Sequence, residues 1–442
     1  MTADPLLALG PAFTAFLRPF ERFFDSAKSV PHFRTYARGL LSDLPRKTAE
    51  PLALAAGTPP RCLQQFLKAC LWDHDGLTDS LQRTVQATVA DLPPDPVGTV
   101  GILDETSARK QGTKTPGVKR QYLGCIGKVD NGIVSVHLAV ARGSFKALLD
   151  SELFLPEVWD ADRDRCRQAN IPDDVRYRPK WQIGIELLTR AERNGWRFDW
   201  LTFDEGYGSK PGLLLVLDLA GQSYVGEVPK TFACRPGRCR TAISAEAVFS
   251  RPGVKQRAAR SLGIKQQTGP AAVWQVKVVK VALGDDRRPR HRLILARNRE
   301  TGEKKYFITN APGRIGVRRV LAAAFVRWNV EHVFRVAKSE VGLTHFEGRS
   351  YVSLKRHWTL CLVVMTFVAL HTLQLRKKNP AVTLEQVCCA VVQTCRQYLR
   401  RQRGTTETAC LEDLLQYHQC RNTTASQSRQ KRPRKLKRFA AL

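Results

Sequence analysis

Acidic residues are what this sequence is short of: 40 Asp and Glu stand against 71 Lys and Arg in 442 residues, a formal net charge of +31. Solubility needs far less, so the surplus points to a polyanionic partner. The charge is spread along the whole chain, whereas membrane-surface binders concentrate theirs beside an apolar anchor; nucleic acid is therefore favoured over an anionic bilayer. Long hydrophobic runs are also missing. The strongest, TLCLVVMTFVAL at 359–370, is too short to span a membrane and suits a buried helix. No basic segment followed by a long apolar stretch occurs in MTADPLLALGPAF, so no secretory signal is read and a reducing cytoplasmic setting is expected. The 12 cysteines are irregularly spaced, which excludes a disulfide scaffold. Cys234 and Cys239 have no second Cys/His pair at zinc-finger spacing, which favours unpaired structural cysteines. Internal repeats are lacking. What remains is a globular composition, 43% hydrophobic, long enough for two to four domains.

The first 95 residues have helical texture, with Phe13, Phe16, Leu17, Phe20 and Phe24 at helical spacing, as are Leu63, Phe66, Leu67 and Cys70. Between them a helix is expected to end at Gly57, with Thr58 capping the next helix and prolines in its first turn. Such a pair resembles a helix-turn-helix, with Arg61 and Gln64 placed for base or phosphate contacts; an ordinary helical hairpin fits equally. After the linker DLPPDPVG, residues 97–103 form an apolar strand ending on Asp104, followed by the basic loop SARKQGTKTPGVKR. Strands at 121–129 and 133–141 flank Asp130-Asn131-Gly132, a hairpin turn signal. A polar, loop-rich stretch leads to a helix at 181–193, a strand at 200–203 ending on Asp204, a helix at 213–219 and a strand at 222–228. Short crossovers make the last two strands parallel to the first, which brings Asp104 and Asp204 to one carboxyl edge. Residues 229–314 look β-rich, with strands at 272–283, 292–296 and 304–309. A final helical segment begins at Pro380, with Thr383 and Gln386 as a capping box, and the chain closes in a basic, core-poor tail, SQSRQKRPRKLKRF, expected to order only on a polyanion.

The stretch RWNVEHVFRVAK, 327–338, carries the decisive pattern. Val326, Val330, Val333, Ala337 and Val341 give one apolar helical face, while Arg327, Glu331, Arg335 and Lys338 form a second on which one carboxylate sits among cations. Alone, this is a surface helix with i,i+4 ion pairs. Joined to two strand-end aspartates, it is the minimal set for phosphodiester chemistry. Two Mg²⁺ ions roughly 4 Å apart activate the attacking oxygen and stabilise the leaving one. Such ions need only two or three carboxylates when phosphate oxygens and water complete their shells. Asp104, Asp204 and Glu331 would supply those carboxylates, with Arg327, Arg335 and Lys338 as phosphate contacts, while Lys110 and Lys114 beside Asp104 could bind backbone or simply be solvated. The neighbouring Glu105, Glu205 and Glu340 fit less well: the first two follow the end of an apolar run, and Glu340 lies beyond the cationic ladder.

Three segments, ILDETSARKQG, LTFDEGYGSKPGLL and RWNVEHVFRVAKSEVGL, resemble the DDE transposases of bacterial insertion sequences, in the branch related to IS4 and nearest the IS701-like group. The resemblance covers most of the chain. It implies an α/β, RNase H-like catalytic core interrupted by a β-rich insertion and preceded by a helical domain. The expected boundaries are 1–95 for the N-terminal DNA-binding helices, 96–228 and 315–375 for the two parts of the core, 229–314 for the insertion, and 376–442 for the C-terminal helix and tail. It also implies Mg²⁺, with Mn²⁺ substituting, double-stranded DNA at terminal inverted repeats and at the target, and a homodimeric synapse performing cut-and-paste transposition. The branch has a Tyr, Arg, Glu, Lys series on one helix; Arg327, Glu331 and Lys338 match it, but Ala324 stands at the tyrosine position and the adjacent Phe325 has no hydroxyl. Relatives stack an insertion-domain tryptophan on a flipped base, a role open to Trp274, for which packing in the β core is the alternative. Two other functions keep the same residues in view: a DNA-binding protein that retains the fold without catalysis, and a metal-dependent nuclease that joins nothing.

Overall fold

The computed structural model describes residues 8–237, 239–251, 260–264, 272–284 and 288–403, together with 415–417, 419–420, 422–424 and 426–427. Most of the basic tail, and residues 285–287 of the polar turn, lie outside these. Five helices open the chain: α1 (Leu9–Leu17), α2 (Ser29–Leu40), α3 (Ala49–Ala55), α4 (Pro60–Lys68) and α5 (His74–Ala90). The phenylalanine stripe turns inward, and the Phe13 ring lies 4.6 Å from that of Phe367. Gly57 takes a positive φ of 64°, which lets the Thr58 N–H reach back to the Ala53 carbonyl at 2.9 Å and close α3. Thr58 is thereby spent on the preceding helix; the N-cap of α4 is Pro59, and no side chain caps it.

One mixed sheet organises the rest. Its strands are β1 (Val100–Arg109), β2 (Lys119–Leu123), β3 (Lys128–Arg142), β4 (Phe145–Leu153), β5 (Trp200–Phe203), β6 (Tyr224–Val228), β7 (Ala233–Pro236), β8 (Ile243–Ser244), β9 (Arg260–Ile264), β10 (Ala272–Ala282), β11 (His291–Asn298) and β12 (Lys304–Thr309). The order is β2-β3-β1-β5-β6-β12-β11-β10-β7-β8, with β4 also on β3 and β9 on β10. β1, β5 and β6 are parallel, as short crossovers dictate, and β12 joins β6 antiparallel, so the later strands prolong the first sheet.

Three local expectations are corrected. The strand through Asp104 does not end there: β1 continues to Arg109 because β3 pairs with it all the way to Gly132. Asp130-Asn131-Gly132 is not a turn but lies within β3, and the chain reverses at residues 124–127, where Gly127 takes a φ of 64°. Gly132 is needed for closeness, since a Cβ there would lie 2.5 Å from the Ala108 carbonyl oxygen. The stretch FKALLDSEL, expected as loop, is β4; its Asp150, Ser151 and Glu152 are buried or nearly so and paired inside the protein.

The sheet separates two apolar cores. One face is covered by α1–α5 with α12 (Val317–Val326), α13 (Trp328–Ser339), α14 (Tyr351–Arg376) and α15 (Leu384–Arg403); the other by α8 (Lys180–Arg193) and α10 (Pro211–Leu219), which follow the short α6 (Glu157–Asp160) and α7 (Arg163–Gln168) and flank α9 (Glu205–Gly208), with α11 (Ala245–Ser250) further on. The apolar run at 359–370 proves to be the middle of α14, which is long and apolar enough to cross a bilayer but is mostly buried within the protein. Thr383 and Gln386 cap α15 reciprocally, at 3.0 and 3.3 Å.

Candidate active site

β1 and β5 run in parallel register up to the pair Leu103 and Phe203, and the next residue on each is an aspartate. Asp104, where the parallel pairing stops while β1 runs on beside β3, and Asp204, where β5 ends, therefore stand side by side at the carboxyl end of the parallel pair. Asp204 caps α9, its Oδ1 accepting the Tyr207 N–H at 3.1 Å. α9 can sit so tightly because Gly208 abuts β6: a Cβ there would lie 2.0 Å from the Glu227 carbonyl oxygen. Asp104 Oδ1 accepts the Glu105 N–H at 2.7 Å and its Oδ2 lies 3.5 Å from Arg327 Nη1. Burial pushes the Asp104 carboxyl up to about 7; Arg327 opposes that rise and the charge of Asp204 adds to it. Across β3, directly opposite Asp104, stands His137, with Ser135 Oγ 2.7 Å from Nε2 and Ser151 Oγ 2.9 Å from Nδ1. Burial drives its pKa down to about 3, with Lys338 and Lys355 contributing, so it is a neutral, fully engaged imidazole and no ligand.

Arg327 occupies the junction of α12 and α13, where i,i−3 bonds replace the regular ladder: its N–H reaches Ala324 and its carbonyl receives Val330. The expected single helix from 327 to 338 is thus α13 alone, beginning just after the arginine. This junction aims the guanidinium at three acids. Besides Asp104, Nη2 lies 3.4 Å from Glu227 Oε2 and Nη1 lies 3.9 Å from Glu331 Oε1. Asp104 and Glu331 thus reach the same nitrogen. Glu331 is 66% exposed, whereas Asp104 and Arg327 are 14% and 13% exposed. The second oxygen of Glu227 accepts from Lys305 Nζ on β12 at 2.7 Å. Lys338 is half-buried over the Phe334 ring; burial lowers its pKa, and Cys125 and Asp104 partly restore it.

Carboxylate oxygens are the donors a hard divalent cation takes. The two aspartates offer adjacent ones, and Glu331 offers a third from the solvent side. Among the described residues no three such groups converge closely enough to enclose an ion; what stands among the acids is Arg327, a cation belonging to the protein itself. The donor set fits by chemistry, provided that Glu331 closes in from its exposed position.

The sequence profile described as "DDE superfamily endonuclease" matches residues 19–290. The chain belongs to this family. Both aspartates of this DDE endonuclease chain fall inside the matched region and Glu331 falls beyond it. Over 209 residues the chain is 32% identical to the "Probable transposase for insertion sequence element IS701" of Microchaete diplosiphon, covering 47% of this chain and 50% of the relative; it thus matches about half the length of that curated protein. Among solved structures it is similar to a piggyBac transposase synaptic complex with hairpin DNA, at TM-score 0.46 and 9% identity over 88% of this chain and 75% of the other.

The remaining expected site residues of the DDE chain are scattered. Arg335 turns away to Glu385 on α15, at 2.8 Å. Lys110 is not open to a phosphate: it is buried and donates to the Thr344 carbonyl at 2.8 Å and to that of Phe346, and burial lowers its pKa to about 8. Lys114, Arg61 and Gln64 are exposed, the last two on the outer side of α4. Ala324 is buried, and Phe325 packs on Trp328 and Trp274 with centroids 4.5 and 5.1 Å apart. Trp274 is therefore a core residue, buried where no base reaches it. Glu227, Lys305 and Lys180, which pairs with Glu105 at 2.8 Å, were not expected at the site. Glu227 and Lys305 sit in strands whose alternation marks them only as polar, and nothing local announces a partner 100 residues away.

Proposed function

We propose that this DDE endonuclease is a DNA transposase that binds the inverted repeats at element ends, cuts their phosphodiester bonds and joins the 3′ ends to target DNA. The observation that carries the reading is the side-by-side emergence of Asp104 and Asp204 from parallel strands, with Glu331 reaching the same Arg327 nitrogen as Asp104. The order β4-β3-β1-β5-β6, antiparallel through β1 and parallel after it, supports an RNase H-like core. In this reading residues 1–95 recognise DNA, 96–228 and 315–375 are the core, 229–314 are inserted and 376–442 follow it. Arg61, Gln64 and Lys114 offer exposed contacts for DNA, and a homodimer holds two ends together.

Asp104, Asp204 and Glu331 would hold Mg²⁺ or Mn²⁺, which supplies a metal-activated oxygen nucleophile and charge stabilisation at the leaving oxygen. The chain's own contribution is positional. Burial keeps Asp104 fixed and partly dry, α9 locks Asp204 by its cap, and Glu227 retains Arg327 beside the acids where a phosphate must arrive. Purified protein incubated with element-end DNA and Mg²⁺ or Mn²⁺ is expected to cut it. Asp104→Ala, Asp204→Ala and Glu331→Ala are each expected to abolish cutting while end binding persists. A fully active triple variant overturns the reading, and an enzyme that cuts but never transfers a 3′ end to a second duplex is a nuclease instead.

A further inference from the structure

The β2–β3 hairpin lies beside the acids yet has no part in their geometry. From Arg109 to Val129 the chain contains no carboxylate. The first acid after it, Asp130, is held by Arg109 at 2.9 Å. Lys119, Arg120 and Lys128 are exposed and, among the described residues, have no ion-pair partner. Tyr122 and Val129 are cross-strand neighbours and remain 61% and 52% exposed. The turn that joins the strands is folded back onto β1: the Cys125 N–H donates to Ser107 Oγ at 3.1 Å, three residues beyond Asp104. Lys338 lies near enough to feel both Cys125 and Asp104, which places the hairpin's turn at the rim of the acid cluster.

We propose that this hairpin enters a groove of duplex DNA as a two-stranded ribbon, in which Lys119 and Lys128 on one face and Arg120 on the other grip the phosphate backbone flanking the cut, and Tyr122, on the face of Arg120, lies against the sugar edge. The proposal rests on the transposase reading for the identity of its partner and goes beyond it in assigning the surface. A protein partner suits this surface poorly, because protein interface cores are depleted of lysine and demand a wider apolar area than one Tyr–Val pair. Backbone contacts to DNA draw on Lys, Arg and Tyr side chains, and a two-stranded ribbon is of a size that the major groove admits.

The test is fluorescence anisotropy of a labelled element-end duplex titrated with full-length protein across a salt series. Lys119→Gln/Arg120→Gln/Lys128→Gln is expected to weaken binding about 10- to 100-fold and to flatten the salt slope by roughly 0.9 for each phosphate no longer neutralised. Tyr122→Ala is expected to weaken binding severalfold with the slope unchanged. Lys377→Gln/Lys378→Gln, exposed at the end of α14 that meets the β3–β4 turn, is expected to change neither quantity appreciably. Unchanged affinity and slope in a triple variant that keeps the parental melting temperature overturns the assignment. The two readings fail separately: hairpin-dependent binding without any cutting sinks the transposase reading alone, and cutting with hairpin-independent binding sinks this one alone.

Discussion

Arg327 serves three carboxylates, Asp104, Glu227 and Glu331, with one guanidinium. Lys305 relieves it of part of Glu227, so the arginine is shared between acids and not captured by one. Glu227→Gln removes a tether and throws Arg327 onto Asp104. The expected result is a fall in turnover on the order of 10- to 100-fold at saturating DNA, since small misplacements carry penalties of that size, with DNA affinity little changed. Lys146 on β4 gives a second prediction. It is buried, and burial with help from Arg376 lowers its ammonium to about 7 from 10.5. A depressed lysine destabilises the fold wherever it must stay charged, so its penalty is full below pH 7 and fades as pH rises toward 10.5. Lys146→Met is expected to stabilise the protein by about 2 kcal/mol near pH 6 and by progressively less toward pH 10, read from melting temperatures. At this scale the two aspartates were legible, because each terminates an apolar run that a parallel pair aligns. Glu227 and Lys305 were not, because a polar residue in a strand looks the same whether it meets water or a buried cation.

α14 shows why element boundaries were harder to read. Its apolar middle was visible, but three successive polar residues ahead of it, Lys355, Arg356 and His357, belong to the buried helix as well. Each is satisfied by a different part of the protein. Lys355 donates to Glu152 at 2.8 Å, Arg356 to the carbonyls of Leu67 and Trp72, and His357 bridges the Tyr36 hydroxyl and the Gly342 carbonyl. Such contacts also hid β4, whose Asp150, Ser151 and Glu152 break the alternation expected of a strand: Glu152 faces Lys355 on α14, Asp150 faces Gln82 and Arg190, and the Ser151 hydroxyl faces His137. Lys355→Met leaves Glu152 buried without its cation, and the expected loss is about 3–5 kcal/mol in urea denaturation. The misplaced hairpin has a different origin: Asn131 and Gly132 carry a turn's composition, but the Asn131 amide binds the carbonyls of Lys110 and Gly112 at 2.8 Å, and Gly132 is required by a crowded strand pair.

For the molecule as a whole, the charge surplus pointed to a polyanion and the parallel strands placed two acids together, while the third remained a matter of spacing. Binding of a divalent ion to the folded state alone must stabilise it by mass action. Mn²⁺ at about 100 times its dissociation constant is expected to add about 2.7 kcal/mol and raise the melting temperature by a few degrees. Asp104→Asn/Asp204→Asn is expected to lose that rise, with no cutting assay needed. A last consequence comes from the join of β12 to β6, where Val225 to Val228 are laddered to Thr309 to Tyr306. Were the outlying strands trimmed away, those residues would become a raw seam of unpaired amides and carbonyls, ready to zip onto any neighbouring molecule. A shortened descendant of this protein would have to patch that seam before it could stay dispersed.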